Sequence, residues 1–173
     1  MKANNLKEYN RIFITIIRVA IGWHFLYEGL SKILQGNWTA SGFLMNTSGF
    51  FSGFYHGIAN SPALLRTIDI LNMYGLVFIG LALFIGLFSR LAALSGALLL
   101  TLYYFAYPPF GNPLMNASEG HLFIVDKLFI ETAVLIFLFF YPEKGFSIDS
   151  LIEIFRSPKK SESTESESTS SRR

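Results

Sequence analysis

The stretch Ile12–Leu34, IFITIIRVAIGWHFLYEGLSKIL, is long and apolar enough to cross a bilayer as one helix. It also contains four ionisable side chains: Arg18, His24, Glu28 and Lys32. A charge near the middle of a membrane helix costs about 2.5 to 3.5 kcal/mol on insertion scales, so such residues usually face other helices and pair. At about 100° per residue, the four fall within an arc of about 120°. The stretch therefore predicts a membrane helix with one polar face.

A second interpretation remains open for two of these residues. Arg18 and Lys32 each lie near an end of the stretch, where a long side chain can reach the lipid headgroups. Glu28 is shorter and lies about two turns from the end, so it reaches the headgroups poorly. Because Glu28 and Lys32 are related by i,i+4, we expect them to belong to one internal site.

The composition is typical of an integral membrane protein. Hydrophobic residues make up 51% of the 173 residues, charged residues only 15%, and phenylalanine alone accounts for 18 positions. The chain has no cysteine, which excludes thiol redox chemistry and cysteine-ligated iron–sulfur or zinc centres on this chain. Any electrons that it handles must use a borrowed cofactor. No basic stripe indicates nucleic acid, and no metal site is predicted.

Four stretches have the length and apolar character of membrane helices. Ser61-Pro62 predicts the start of the second, because serine caps helices and proline suits the first helical position. Ser89-Arg90 predicts a very short connection, which makes the second and third helices an antiparallel hairpin. The predicted spans are Ile12–Leu34, Pro62–Phe88, Leu91–Tyr104 and Leu122–Tyr141.

The segment Gly36–Ser61 is too long and too apolar to be an ordinary loop. It predicts one or two short helices that lie in the interface or re-enter the membrane. The predicted fold class is therefore all-α: an integral membrane four-helix bundle with an interfacial or re-entrant helical segment between the first two spans. Residues 1–156 form this domain, and residues 157–173, rich in Ser, Glu and Lys, are expected to be a disordered cytoplasmic tail.

The last span carries a second set of charges, Asp126, Lys127 and Glu131. Glu131 is predicted near mid-span, about 13 Å along the helix from Leu122, and Lys127 and Glu131 are related by i,i+4. Asp126 and Lys127 can instead be a solvated first turn. Both interpretations remain open at this point.

The basic residues predict the orientation. With four spans, one side of the membrane receives most of them, so both termini are expected in the cytoplasm. Glu28 and Lys32 then lie at the same depth as the charges of the last span. We therefore predict a single charged site between the first and fourth spans. The basic residues on the cytoplasmic side are Lys2, Lys7, Arg11, Arg90, Lys144, Arg156, Lys159 and Lys160.

A wider pattern of residues resembles the DoxX/DoxD membrane family, from about Arg18 to about Leu151. The pattern is specific as a whole, although no single part of it is. It consists of Arg18–Lys32 (RVAIGWHFLYEGLSK), Asn37-Trp38, Asp69-x-Leu71-Asn72, Leu102-Tyr103-Tyr104 through Pro108-Pro109, and Glu119-Gly120 leading to Lys127 and Glu131.

The resemblance implies a protein of the prokaryotic cytoplasmic membrane. The best-defined activity in that family is that of the small subunit, DoxD, of a thiosulfate:quinone oxidoreductase, which works with a partner subunit. The family's Asn-Lys-Asn-like segment before the last helix appears here as Asp126-Lys127-Leu128, so both amides are missing. This departure bears on the identity of the substrate, since a shared fold does not carry a function with it.

The residue chemistry is compatible with a quinone site. Such a site needs an apolar slot, donors to the carbonyl oxygens and a group that exchanges protons. The sequence predicts a membrane subunit of a quinone-linked oxidoreductase, with a second protein subunit as partner. A non-catalytic scaffold or assembly subunit is the alternative, and a small-solute carrier is disfavoured because no internal repeat is present. The predicted proton-exchanging residues are Glu28 and Glu131, and the predicted ligand-binding residues are Arg18, His24, Lys32, Asp126 and Lys127.

Overall fold

The computed structural model describes residues 2–48, 50–107, 121–122 and 125–141. Most of these residues are helical, and a two-residue antiparallel pairing precedes the last helix. The end of the predicted membrane domain, residues 142–156, and the predicted tail 157–173 lie outside the described residues. The elements are α1 Lys2–Leu34, α2 Ser41–Met45, α3 Ser52–Ala59, α4 Pro62–Ile85, α5 Ser89–Ala106, β1 His121–Leu122, β2 Val125–Asp126 and α6 Lys127–Phe140.

The all-α membrane fold is confirmed. Within the described residues, three helices are long and apolar enough to cross a membrane: Glu8–Leu34 of α1, α4 and α5. The fourth, α6, has 14 residues and is about 21 Å long, whereas a bilayer core is about 30 Å thick. It begins at Lys127 and not at Leu122 as predicted, because the Asp126 side chain caps it by accepting from the Phe129 N–H at 2.8 Å.

The connection between α4 and α5 lies earlier than predicted. Gly86 ends α4 with a φ of 77°, and Phe88 has a φ of 51° before α5 begins at Ser89. Glycine adopts this left-handed conformation without a steric penalty, so it sets the turn. Ser89 and Arg90 are therefore the first residues of α5. The predicted antiparallel hairpin is otherwise present.

α1 packs closely against α4 because glycines face each other across the contact. A Cβ on Gly22 would lie 2.7 Å from the Phe84 nitrogen, and one on Gly80 would lie 2.8 Å from the Gly22 oxygen. Phe25 and Leu83 fill the bundle next to this contact, and Leu135 joins them from α6. The closest helix pair is thus formed by the first and second spans, while α6 packs mainly on α5.

The predicted short helices between the first two spans are α2 and α3, here called the interfacial helices. Tyr55 of α3 donates to the Leu102 carbonyl of α5 at 2.8 Å, and Tyr107 donates to the Phe43 carbonyl of α2 at 2.7 Å. Burial raises the pKa of both phenols, so the two hydroxyls remain protonated donors. Asp69 of α4 fixes the chain before α2 by accepting from the Ala40 N–H at 2.7 Å.

The orientation is testable because the chain has no natural cysteine. Ser48 is exposed beside the interfacial helices, and Ser89 lies at the opposite end of α5. An impermeant thiol reagent added to intact cells is expected to label Ser48→Cys and to leave Ser89→Cys unlabelled until the membrane is opened. The reverse pattern would place the termini outside the cytoplasm.

Candidate functional site

The charged face of α1 forms an ordered series of contacts. His24, Glu28 and Lys32 follow one another at four-residue intervals, so they stack along one side of the helix. Lys32 Nζ lies 3.5 Å from Glu28 Oε2 within the helix. The predicted i,i+4 ion pair is therefore present in the structure.

Lys32 is also held by α4 and by the chain before α2. Its Nζ donates to Asn72 Oδ1 at 3.0 Å and lies 4.8 Å from the centre of the Trp38 ring. Only 14% of its side chain is exposed. An ammonium group over an indole face gains cation–π attraction in addition to the hydrogen bond. Lys32 thus points into the protein, which contradicts the interpretation that it reaches the headgroups.

Asn72 and Tyr103 extend this polar group toward α5. The Asn72 amide Nδ2 donates to the Tyr103 hydroxyl. Lysine has no acceptor, so the Asn72 oxygen must face Lys32 and its nitrogen must face Tyr103. The sequence did not predict a role for either residue, although both occur in the pattern that resembles the family. An amide inside an apolar helix was the available signal for Asn72.

α6 brings the second set of charges to the same side. Glu131 Oε1 lies 3.4 Å from His24 Nε2 and 3.8 Å from Lys127 Nζ. The other oxygen of Glu131, Oε2, is buried and has no hydrogen-bond partner among the residues that the structure describes. The structure therefore joins α1 and α6 through His24 and Glu131.

A cavity of about 70 Å³ lies between these groups. Water needs about 10–15 Å³ of such volume and two to four polar partners, so the cavity has room for a few water molecules. Glu28 and Glu131 both line it, so the two ion-paired groups meet at one space. We call it the charged cavity; its lining residues are His24, Phe25, Glu28, Leu76, Leu100, Tyr103, Lys127, Leu128 and Glu131.

Two of the predicted ligand-binding residues, Arg18 and Asp126, are not among those that line the charged cavity. Arg18 is only 4% exposed, so it is buried in the protein and does not reach along the surface; it is not among the residues that line the charged cavity. Asp126 is 6% exposed, and its carboxylate caps α6. The Asp126-Lys127-Leu128 segment therefore contributes a cap and two lining residues of the charged cavity.

The position of Glu131 also differs from the prediction. Because α6 begins at Lys127, Glu131 lies only about 6 Å along the helix, in its second turn. The predicted mid-span position depended on a helix start at Leu122 and is wrong. Glu131 remains mostly buried, with 15% of its side chain exposed, because it faces His24 of α1.

A double-mutant cycle on His24→Gln and Glu131→Gln tests this pairing. We expect the two changes to be non-additive in the free energy of unfolding in detergent, with a coupling above about 0.5 kcal/mol. Lys32→Gln combined with Glu131→Gln is the control. Those two side chains have different partners, so their effects should add within about 0.5 kcal/mol. Coupling in the control cycle alone would contradict the arrangement described above.

Comparison with known proteins agrees with the membrane fold. The DoxX family model matches residues 13–107, which extend from within α1 to the end of α5 and make up more than half of the chain. Lys127 and Glu131 lie beyond the matched residues. No curated protein and no solved structure matches the chain. The family resemblance of the sequence is confirmed for the matched region, and the chain belongs to the DoxX family of membrane proteins.

Proposed function

We propose that the protein is a membrane subunit of a quinone-linked oxidoreductase, whose charged cavity exchanges protons with a quinone. The observation that carries this proposal is the convergence of Glu28, Glu131 and His24 on one cavity between membrane helices. Ionisable groups in such positions are costly and usually mark functional paths. Carboxylates and imidazole are also the groups that most often move protons in proteins.

The chemistry of a quinone requires groups that exchange protons and groups that donate hydrogen bonds. Reduction to a quinol takes up two electrons and two protons. Glu28 and Glu131 would exchange the protons, and Lys127 and Tyr103, which line the same cavity, would supply hydrogen-bond donors to the carbonyl oxygens. Lys127, with 62% of its side chain exposed, connects the cavity to the surroundings of the protein.

The electrons would come from a second subunit. This chain has no cysteine with which to hold an iron–sulfur cluster or to form a redox-active thiol pair. By its resemblance to the DoxD subunit of thiosulfate:quinone oxidoreductases, we propose thiosulfate as the electron donor of the complex. The donor would be oxidised on the partner, and this chain would bind the quinone in the membrane.

A scaffold or assembly subunit is the second candidate. It is favoured by the way in which Lys32 is engaged by Glu28, Asn72 and Trp38 at once, as expected if the charges only fix how the helices pack. In that case, removing a carboxylate should change stability and leave quinone-dependent electron transfer intact.

Isolation from native membranes, followed by identification of the quinone and proteins that co-purify, tests the proposal. In the same membranes, Glu131→Gln is expected to lower quinone-dependent electron transfer by about 100-fold, since a lost proton-transfer group typically costs that much. Glu8→Gln is the matched control, because Glu8 is exposed on the first turns of α1. Full activity in a folded Glu131→Gln protein would favour the scaffold.

A further inference from the structure

A second, larger cavity lies beneath the interfacial helices, between them and helices α4 and α5. Its volume is about 200 Å³, and its wall is almost entirely apolar. None of the charged residues discussed above lines it. We call it the apolar pocket; it is lined by Ala40, Phe43, Leu44, Phe54, Tyr55, Ile58, Ile68, Leu71, Asn72, Leu99, Leu102 and Tyr103.

The apolar pocket opens toward the side of the bundle. Phe54 of α3, Leu71 of α4 and Leu102 of α5 line it and are each more than half exposed. α4 and α5 are membrane-spanning candidates, so a mouth between such residues faces the lipid or its interface. A molecule dissolved in the bilayer can reach this mouth without passing through water.

Two lining residues of the apolar pocket carry polar groups that a ligand could use, the Asn72 amide and the Tyr103 hydroxyl, whereas the hydroxyl of Tyr55 already donates to the Leu102 carbonyl. Asn72 is buried, so we call the part of the wall formed by Asn72 and Tyr103 the inner end. The Tyr103 oxygen accepts from Asn72, and no acceptor for the proton of Tyr103 is found in the part of the chain that the structure describes. The Asn72 amide uses one of its two hydrogens for Tyr103, so a second donor remains. A ligand that presents an acceptor would satisfy both donors.

The volume restricts the size of the ligand. About 200 Å³ is more than ten times the roughly 10–15 Å³ that one water molecule needs, and it is below the roughly 300–1,000 Å³ of pockets for drug-sized ligands. The pocket therefore takes one ring and a short length of chain. A phospholipid acyl chain would fill the apolar wall but would leave the donors at the inner end without an acceptor, which costs free energy.

We propose that the apolar pocket binds the ring of a lipid-soluble quinone, with a carbonyl oxygen accepting from Tyr103 and the hydrocarbon tail leaving between Phe54 and Leu102. This inference rests on the proposed function, and it assigns the quinone ring to the apolar pocket. Tyr103 lines both the apolar pocket and the charged cavity. The ring thus lies on one side of this phenol, and the carboxylates that exchange protons lie on the other.

The natural tryptophans provide a direct measurement. The chain has two, and Trp38 packs near the inner end of the pocket, against Lys32 and the cluster that contains Tyr55 and Ala40. In a Trp23→Phe background, the fluorescence of Trp38 reports the site alone. A benzoquinone with a decyl chain, titrated into the protein in detergent micelles, is expected to quench this fluorescence saturably. The same ring without the chain should bind at least about tenfold more weakly, because burying methylene groups favours the tailed molecule.

Two substitutions locate the ligand. Asn72→Leu is expected to weaken binding about tenfold, the value of one hydrogen bond of roughly 1.4 kcal/mol, whereas Asn60→Leu at the exposed end of α3 should have no effect. Since Asn72→Leu also removes a partner of Lys32, it can impair folding. Leu99→Phe avoids this by filling the pocket with an apolar ring and should abolish saturable quenching, while Leu98→Phe on the exposed face of the same helix should not.

The outcomes separate this inference from the proposed function. Binding that persists in Leu99→Phe and disappears in Glu131→Gln would place the ring in the charged cavity; it would overturn the pocket assignment and leave the quinone-linked function standing. Loss of quenching on addition of phospholipid would identify an acyl chain as the occupant and would also overturn the assignment, as would the absence of saturable quenching in the parent protein. Quinone-dependent electron transfer in native membranes tests the function independently of all three results.

Discussion

Replacing Gly80 by alanine is expected to destabilise the protein more than any other single methyl group added in α4. A Cβ at this position would overlap the backbone nitrogen of Leu26 and would lie 2.7 Å from the Leu26 Cα. Backbone atoms cannot move aside as a flexible side chain can, so α1 and α4 would have to separate. Overpacking costs about 1–3 kcal/mol and sometimes more, and we expect a loss of about 3 kcal/mol in the free energy of unfolding in detergent.

Gly75→Ala in the same helix is the control. Among the described residues, no atom outside its own stretch of helix lies within 4 Å of the position that its Cβ would take, so the change brings only the higher helix propensity of alanine. That preference is worth up to about 1 kcal/mol, and Gly75→Ala should therefore be neutral or stabilising. Equal effects of the two substitutions would show that the close contact of α1 with α4 does not limit stability.

Lys32→Met is expected to have the second-largest effect. The change removes the hydrogen bond to Asn72, the ion pair with Glu28 and the contact with the Trp38 ring. Hydrogen bonds to charged groups contribute about 1.5–3 kcal/mol, and Asn72 would lose its charged donor. The Glu28 side chain is 44% exposed, so the lost ion pair counts for less than a fully buried one would. We expect a net loss of about 2–3 kcal/mol in the free energy of unfolding.

Lys127→Met provides the comparison on the other charged helix. Its ion pair with Glu131 spans 3.8 Å, and 62% of the lysine side chain is exposed. Exposed ion pairs contribute about 0–1 kcal/mol, so this substitution should lower stability by less than Lys32→Met. A larger loss for Lys127→Met would mean that the lysine of α6 contributes more to the free energy of unfolding than the lysine of α1.

Local patterns in the sequence predicted the elements that depend on neighbouring residues. The contact of Lys32 with Glu28 and that of Lys127 with Glu131 follow from four-residue spacing alone, and both occur in the structure. The interfacial helices and the start of α4 at Pro62 were predicted equally well. Ser61 precedes that start without a capping hydrogen bond from its side chain, so proline is the stronger part of that signal.

Contacts between distant residues could not be predicted in the same way. Asn72 is 40 residues from Lys32, and Tyr103 is 31 residues from Asn72, so no spacing rule relates them. The partner of Glu131 depended on where α6 begins. Asp126 determines that start by capping the helix, and a capping aspartate in a charged segment is not distinguishable in sequence from a residue that faces a ligand. The cap therefore shifted both the depth of Glu131 and its pairing with His24.

The shortness of α6 has a consequence for the lipid around it. Its 14 residues leave about 9 Å of an ordinary bilayer core unmatched, while α1, with 33 residues, is more than long enough. A bilayer adapts to such hydrophobic mismatch by thinning next to the short helix, at a modest elastic cost for each ångström. Such thinning draws the headgroup layer and its water inward along α6. Glu131, in the second turn of α6, then lies closer to water than its position in an undeformed bilayer would place it.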